Sequence, residues 1–109
     1  MKKAKAKAKV KVKLHGQVIH LEGDLLFANV TMVWRKIKAL FLKLQMHGVN
    51  KTTIDLTQIT HVDSAAIALL CNVWRHAQRH KQACEFISPP VSLVNIAKLV
   101  GMSEILELK

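Results

Sequence analysis

Tyrosine is missing from this chain of 109 residues, glycine occurs only four times and cysteine only twice. Each scarcity removes a class of function. Gly16, Gly23, Gly48 and Gly101 stand singly at turns or helix ends, so neither a G-x-G-x-x-G fingerprint nor a Walker A loop can be assembled from them. Cys71 and Cys84 lie in apolar segments without C-x-x-C spacing. They read as buried free thiols in a reducing compartment, and a disulfide scaffold is excluded. The longest apolar run, Ala65 to Cys71, falls far short of the ~20 residues a bilayer span needs. No apolar stretch follows the N-terminal lysines, as a signal peptide would require. The expected location is therefore the cytoplasm. The seven acidic residues are scattered, and there is no G-x-S-x-G elbow or H-E-x-x-H pair. The reading is a protein without catalytic residues, cofactor or metal.

What the chain has is apolar content and basic charge. Half of it is apolar, enough to build a core. The net charge is +10, but seven lysines lie between Lys2 and Lys13, and the remainder carries only +3. Residues 1–9 read as a basic, mobile tail and residues 10–109 as one domain. The lysine run is read first as a solvated tract and second as an attraction to an anionic membrane surface. Specific nucleic-acid binding is not expected, because Phe86 is the one aromatic on the strands.

Period-two alternation of Val10, Val12 and Leu14 with lysines predicts a strand, and Val18 to Leu21 a second one across a Gly16-Gln17 turn. A helix is predicted from Ala28 or Asn29 to about His47, with Val30, Val33, Trp34, Ile37, Phe41 and Leu44 on its apolar stripe. Thr52 to Leu56 reads as a strand, Gln58 to Asp63 as a loop, and Ser64 to about His80 as a second helix. Ala83 to Ile87 is predicted as a strand. A third helix starts at Ser88-Pro89-Pro90, with proline in its first turn, and ends at Gly101. Ser103 to Leu108 reads as a short helix or strand. The order is that of an α/β fold: a mostly parallel central sheet with an N-terminal β-hairpin and three to four helices.

Two places invite a functional reading. His76 and His80 have the spacing of a two-histidine metal grip, but Arg75 and Arg79 flank them and no third ligand is evident. The second is the helix start at Asp63-Ser64, where either side chain can accept from free N–H groups. It is followed by the small residues Ala65, Ala66 and Ala68. The stripe Ile67, Leu70, Cys71, Trp74 and Ala77 accounts for core packing. Ala65, Ala68, Leu69, Asn72 and His76 point elsewhere and read as a partner face.

The segment from Thr53 to Leu70 resembles the signature of STAS domains, in which a strand leads to Asp-Ser/Thr-small at a helix start. Leu21-Glu22-Gly23-Asp24-Leu25, Ile87-Ser88-Pro89-Pro90-Val91 and Leu99 to Leu106 are similar to further family segments in the same order. The resemblance covers about residues 10–108 and implies a single STAS domain. Gly23 to Val30 looks like the branch of small cytoplasmic STAS subunits that serve phospholipid-transporting ABC systems and outer-membrane lipid asymmetry. That branch implies a non-enzymatic accessory subunit bound to the ABC ATPase, with the permease in the same complex, and so held peripherally at the inner membrane. The contact would be made by Asp63, Ser64, Ala65, Ala68 and Leu69, rimmed by Asp24, His61, Asn72 and His76. Ala66 replaces the family's usual glycine, which is expected to leave less room for a partner backbone. The other branch, the anti-sigma-factor antagonists, implies instead that Ser64 is phosphorylated by a partner kinase.

Overall fold

The structure, a computed structural model, describes residues 9–108, so most of the lysine tract lies outside the described residues. The elements are β1 (Val10–His15), β2 (Val18–Leu25), α1 (Val30–Met46), β3 (Lys51–Val62), α2 (Ser64–Arg79), β4 (Ala83–Ile87) and α3 (Val91–Leu99). They form one four-stranded sheet in the order β1-β2-β3-β4. β1 and β2 are an antiparallel hairpin, while β2–β3 and β3–β4 are parallel. A parallel step needs a crossover, and α1 and α2 supply the two. Both steps move the same way across the sheet, so right-handed crossovers place both helices on one face.

Burial along the strands agrees with a one-sided core. Thr52, Ile54 and Leu56 of β3 are buried, whereas Thr53, Asp55 and Thr57 face outward. The buried face joins Ile19, Leu21 and Leu25 of β2 to Val33, Ile37 and Phe41 of α1 and to Ile67, Leu70 and Val73 of α2. Leu93 and Ala97 of α3 complete it. The outer face carries a polar row in which His20 Nδ1 lies 2.8 Å from Asp55 Oδ2. Burial alone would raise the Asp55 pKa, but hydrogen bonds from Thr57 and His20 outweigh it and hold the carboxyl below its usual value.

β3 departs from the expected boundary. The strand does not stop before Gln58 but continues to Val62, paired with the second half of β2. Two bulges explain the difference: each gives β3 one residue more than β2, between His20 and Glu22 and again between Gly23 and Leu25. Two outward residues therefore follow each other at Thr57-Gln58 and at Thr60-His61, and the period-two signal is lost. Gly23 sits at this irregular stretch with φ +118°, and a Cβ there would meet the carbonyl oxygen of Lys9 at 2.2 Å. That carbonyl accepts the Asp24 N–H at 2.9 Å, so β1 closes on β2 only because residue 23 is glycine.

Two smaller corrections concern the C-terminal part. Pro90 is the residue before the first helical turn of α3, not a member of it. Residues 103–108 form consecutive turns, neither helix nor strand, which bury Leu106 and Leu108 against the core. Among the described residues there are thus three helices. None is long and apolar enough to cross a membrane. Phe86 is buried rather than displayed on the sheet.

Candidate functional site

The parallel strands β2 and β3 end side by side, and the turns that leave them start α1 and α2. Asp63 ties this end together. Its Oδ1 accepts the Ala65 N–H at 2.8 Å, capping α2, and its Oδ2 accepts the Phe27 N–H at 3.0 Å. One carboxylate thus fixes the helix start to the loop that follows β2. Asn29 locks that loop from inside: it is buried, accepts from the Leu26 N–H at 3.0 Å and donates to the Asp24 carbonyl at 2.7 Å. The loop in turn holds Phe27 83% exposed.

Asp24 is held from the neighbouring strand. Thr60 Oγ1 donates to its Oδ1 at 2.6 Å, and His61 Nδ1 lies 2.9 Å from the same oxygen. The second bulge of β3 is what brings two successive side chains onto one acceptor. These bonds, led by that of Thr60, hold the Asp24 carboxyl below its usual pKa. Ser64 occupies the first helical position and is exposed. Because Asp63 does the capping, the Ser64 hydroxyl is uncommitted to the helix start. Ala68 is exposed one turn further on, and Ala65 is half-buried.

The structure therefore gathers Asp24, His61, Asp63, Ser64, Ala65 and Ala68 of the expected face at one end of the molecule. It moves the other members. Leu69 is 2% exposed and belongs to the core, as does Ala66 at 0%. The core stripe of α2 is Ala66, Ile67, Leu69, Leu70, Val73 and Ala77, while Cys71 and Trp74 lie at its half-buried edge. A stripe drawn through Cys71 and Trp74 is rotated away from the true one, and that rotation is what leaves Leu69 outside. The methyl of Ala66 points into the core, so it takes no room from anything approaching α2 from outside. Asn72 and His76 lie two to three turns along the helix, about 12–18 Å from Ser64. There His76 packs against α1, its ring 5.6 Å from both Trp34 and Phe41. Phe27 is the member that sequence reasoning missed.

His76 and His80 stack with ring centroids 4.1 Å apart, and no third histidine, cysteine or carboxylate joins them among the described residues. Both thiols are free and half-buried, and burial pushes the Cys84 thiol up to about 12. Of the lysine tract, Lys9, Lys11 and Lys13 are described, and all three are exposed.

Comparisons with known proteins agree with this architecture. The family described as "Mlab, STAS domain" matches residues 8–107. The chain is 28% identical over 88 residues to the intermembrane phospholipid transport system binding protein MlaB of Haemophilus influenzae, covering 79% of this chain and 81% of that protein. Among solved structures, the anti-sigma factor antagonist SpoIIAA in its unphosphorylated form superposes with a TM-score of 0.68 at 15% identity, over 88% of this chain and 84% of its own. A crystal structure of Mglu gives 0.57 at 18% identity, over 72% of this chain and 19% of that one. At those identities the two structures speak for the fold alone.

Proposed function

The chain belongs to the STAS domain family in its MlaB branch, and on that premise we propose that it is a non-catalytic accessory subunit of an ABC-type phospholipid transporter. It docks on the cytoplasmic ATPase of that complex through the end of the molecule built around Ser64, and it holds the ATPase in an assembled state. The observation that carries this reading is the exposed Phe27 side chain, on a loop whose backbone Asp63 ties to the small-residue start of α2. Ser64, Ala65 and Ala68 let a partner backbone come close to the helix, while Phe27 supplies an apolar anchor of the kind that dominates interface energetics. Asp24, His61 and Asp63 form a polar rim, Asp24 paired with His61 and Asp63 engaged by the backbone N–H groups of Ala65 and Phe27.

Co-elution of the chain with the ATPase subunit on size exclusion tests the proposal. Phe27→Asp combined with Ala68→Arg is expected to abolish co-elution while leaving the monomer folded, since both positions are exposed. An unchanged complex would overturn it.

A second reading has one observation in its favour: the exposed Ser64 hydroxyl that the helix cap does not use. Phosphorylation there would add about −1.5 to −2 charges at a helix N-terminus. Asp63 stands next to it and opposes that charge. Intact mass of the protein from its native host decides this point; an 80 Da increment that maps to Ser64 would establish a phospho-switch.

A further inference from the structure

A groove between α1 and α2 is lined by Trp34, Lys38, Asn72, Arg75, His76 and Arg79 and has a volume of about 310 Å³. Four of these side chains are cationic or titratable toward a cation, and none is acidic. The two ion pairs among the described residues join His20 to Asp55 and His61 to Asp24, so no carboxylate neutralises Lys38, Arg75 or Arg79. Like charges gathered without a counter-charge repel, and such an arrangement is paid for by a ligand or by structure. The structure holds Lys38 and His76 in place. Lys38 lies over the Trp34 ring, 5.4 Å from its centroid. The His76 ring is stacked on Phe41, edge-on to Trp34 and 4.1 Å from His80.

We propose that this groove binds a phosphate-bearing anion, with Lys38, Arg75 and Arg79 as its charge partners and Asn72 and His76 as hydrogen-bonding groups. Two guanidinium forks one turn apart on α2 suit a compact tetrahedral dianion, because each can donate two parallel N–H bonds to phosphate oxygens. The groove is bounded, so a phosphate with a small organic group fits, whereas an extended acidic peptide would have to run past its ends. Phosphate oxygens are offered both by a soluble phosphate ester, as a dianion, and by a phospholipid headgroup, a diester, as a monoanion. The proposal does not rest on ATPase docking, since the arginines lie about three to four turns along α2 from Ser64.

The ligand also changes the titration of His76. Burial first, then the charges of His80, Lys38 and Arg79, hold its pKa below the usual histidine value. Phe41 and Trp34 pack against it without charge. A bound phosphate favours the protonated ring, so ligand raises the His76 pKa, while a phosphate ester, with its second pKa at about 6, loses one of its own charges as pH falls through the same range.

The experiment is an NMR titration of the full chain with inorganic phosphate, glycerol 3-phosphate, and vesicles of phosphatidylglycerol or phosphatidylcholine. Saturable shifts at Trp34, Asn72 and His76 are expected. They should weaken at least about tenfold in Arg75→Gln/Arg79→Gln, as loss of charge-assisted hydrogen bonds requires. Arg75→Lys/Arg79→Lys should keep part of the binding. Both arginines are exposed, so the variants keep the fold, which circular dichroism checks. Saturation by the soluble ions alone supports a soluble phosphate ester. Saturation only by phosphatidylglycerol vesicles, lost in the glutamine variant, supports a headgroup. The absence of saturable shifts in every arm overturns the proposal, as does binding that the double glutamine variant leaves unchanged. A glutamate-rich peptide that shifts these residues where phosphate compounds do not overturns it in favour of an acidic protein segment.

Discussion

The two ends of α2 have opposite chemistry on one continuous helix. At the N-terminal end the outward side chains are Ser64, Ala65 and Ala68, short and uncharged, with the Phe27 ring alongside. At the C-terminal end they are Arg75, His76, Arg79 and His80, facing Lys38 of α1. The macrodipole is satisfied at both ends, by the Asp63 carboxylate at the first and by the cations at the second. The contrast teaches that one helix can offer shape at one end and charge at the other, because a common buried stripe fixes both. The proposed contact would use the absence of side-chain bulk; in the proposed anion groove, Lys38 and His76 are held by aromatic rings.

The sharpest way to break this comparison uses two adjacent residues. Leu69→Asp puts a carboxylate into the core and is expected to cost about 4 kcal/mol or more, enough to lose the cooperative thermal transition. Ala68→Arg, one position earlier and exposed, is expected to leave stability within about 0.5 kcal/mol while abolishing association with the ATPase. If Ala68→Arg also unfolds the chain, the separation of core and contact stripes is wrong. An intermediate effect comes from Asp63→Ala, which removes both the α2 cap and the tie to Phe27. A loss of about 1–2 kcal/mol in denaturant unfolding is expected, with faster amide exchange at Phe27 and Ala65.

The smallest effect is a pH dependence confined to the N-terminal end. The Asp24 carboxyl titrates below its ordinary 3.8 in the folded state, through hydrogen bonds from Thr60 and His61. Its contribution to stability is therefore complete above 3.8 and is lost as pH falls through the lower folded value. Asp24→Asn should flatten that acid limb of the stability curve and leave the neutral plateau in place. An acid limb identical to that of the parent chain would separate Asp24 from the rim.

How far the sequence could be read follows from how regular each signal is. β1, β4, α1 and α2 were legible to within a residue or two because their periods run unbroken between clear stops such as Gly16 and Gly48. The second half of β3 was not, since two bulges put outward residues next to each other at Thr57-Gln58 and Thr60-His61. Leu69 was misplaced because the stripe was drawn through Trp74 and Cys71 at the helix edge, while Ala66 and Val73 mark the true centre. Of the site, the Asp63-Ser64 helix start was visible in one short segment. Phe27 was not, because a lone loop aromatic has no period, and the group that braces it lies 36 residues away.

The strand order β1-β2-β3-β4 has a consequence for synthesis. Every strand pairs with the one made just before it, so no segment must wait for a distant partner still inside the ribosome. The hairpin can close first, each crossover helix can then lay the next strand alongside, and the end proposed for docking is complete once α2 has emerged. The anion groove follows within the same helix, before β4 and α3 are made. A ribosome-stalled chain whose exposed length ends after α2 already contains both ends of the helix, and β4, α3 and the core residues Leu106 and Leu108 remain to be added.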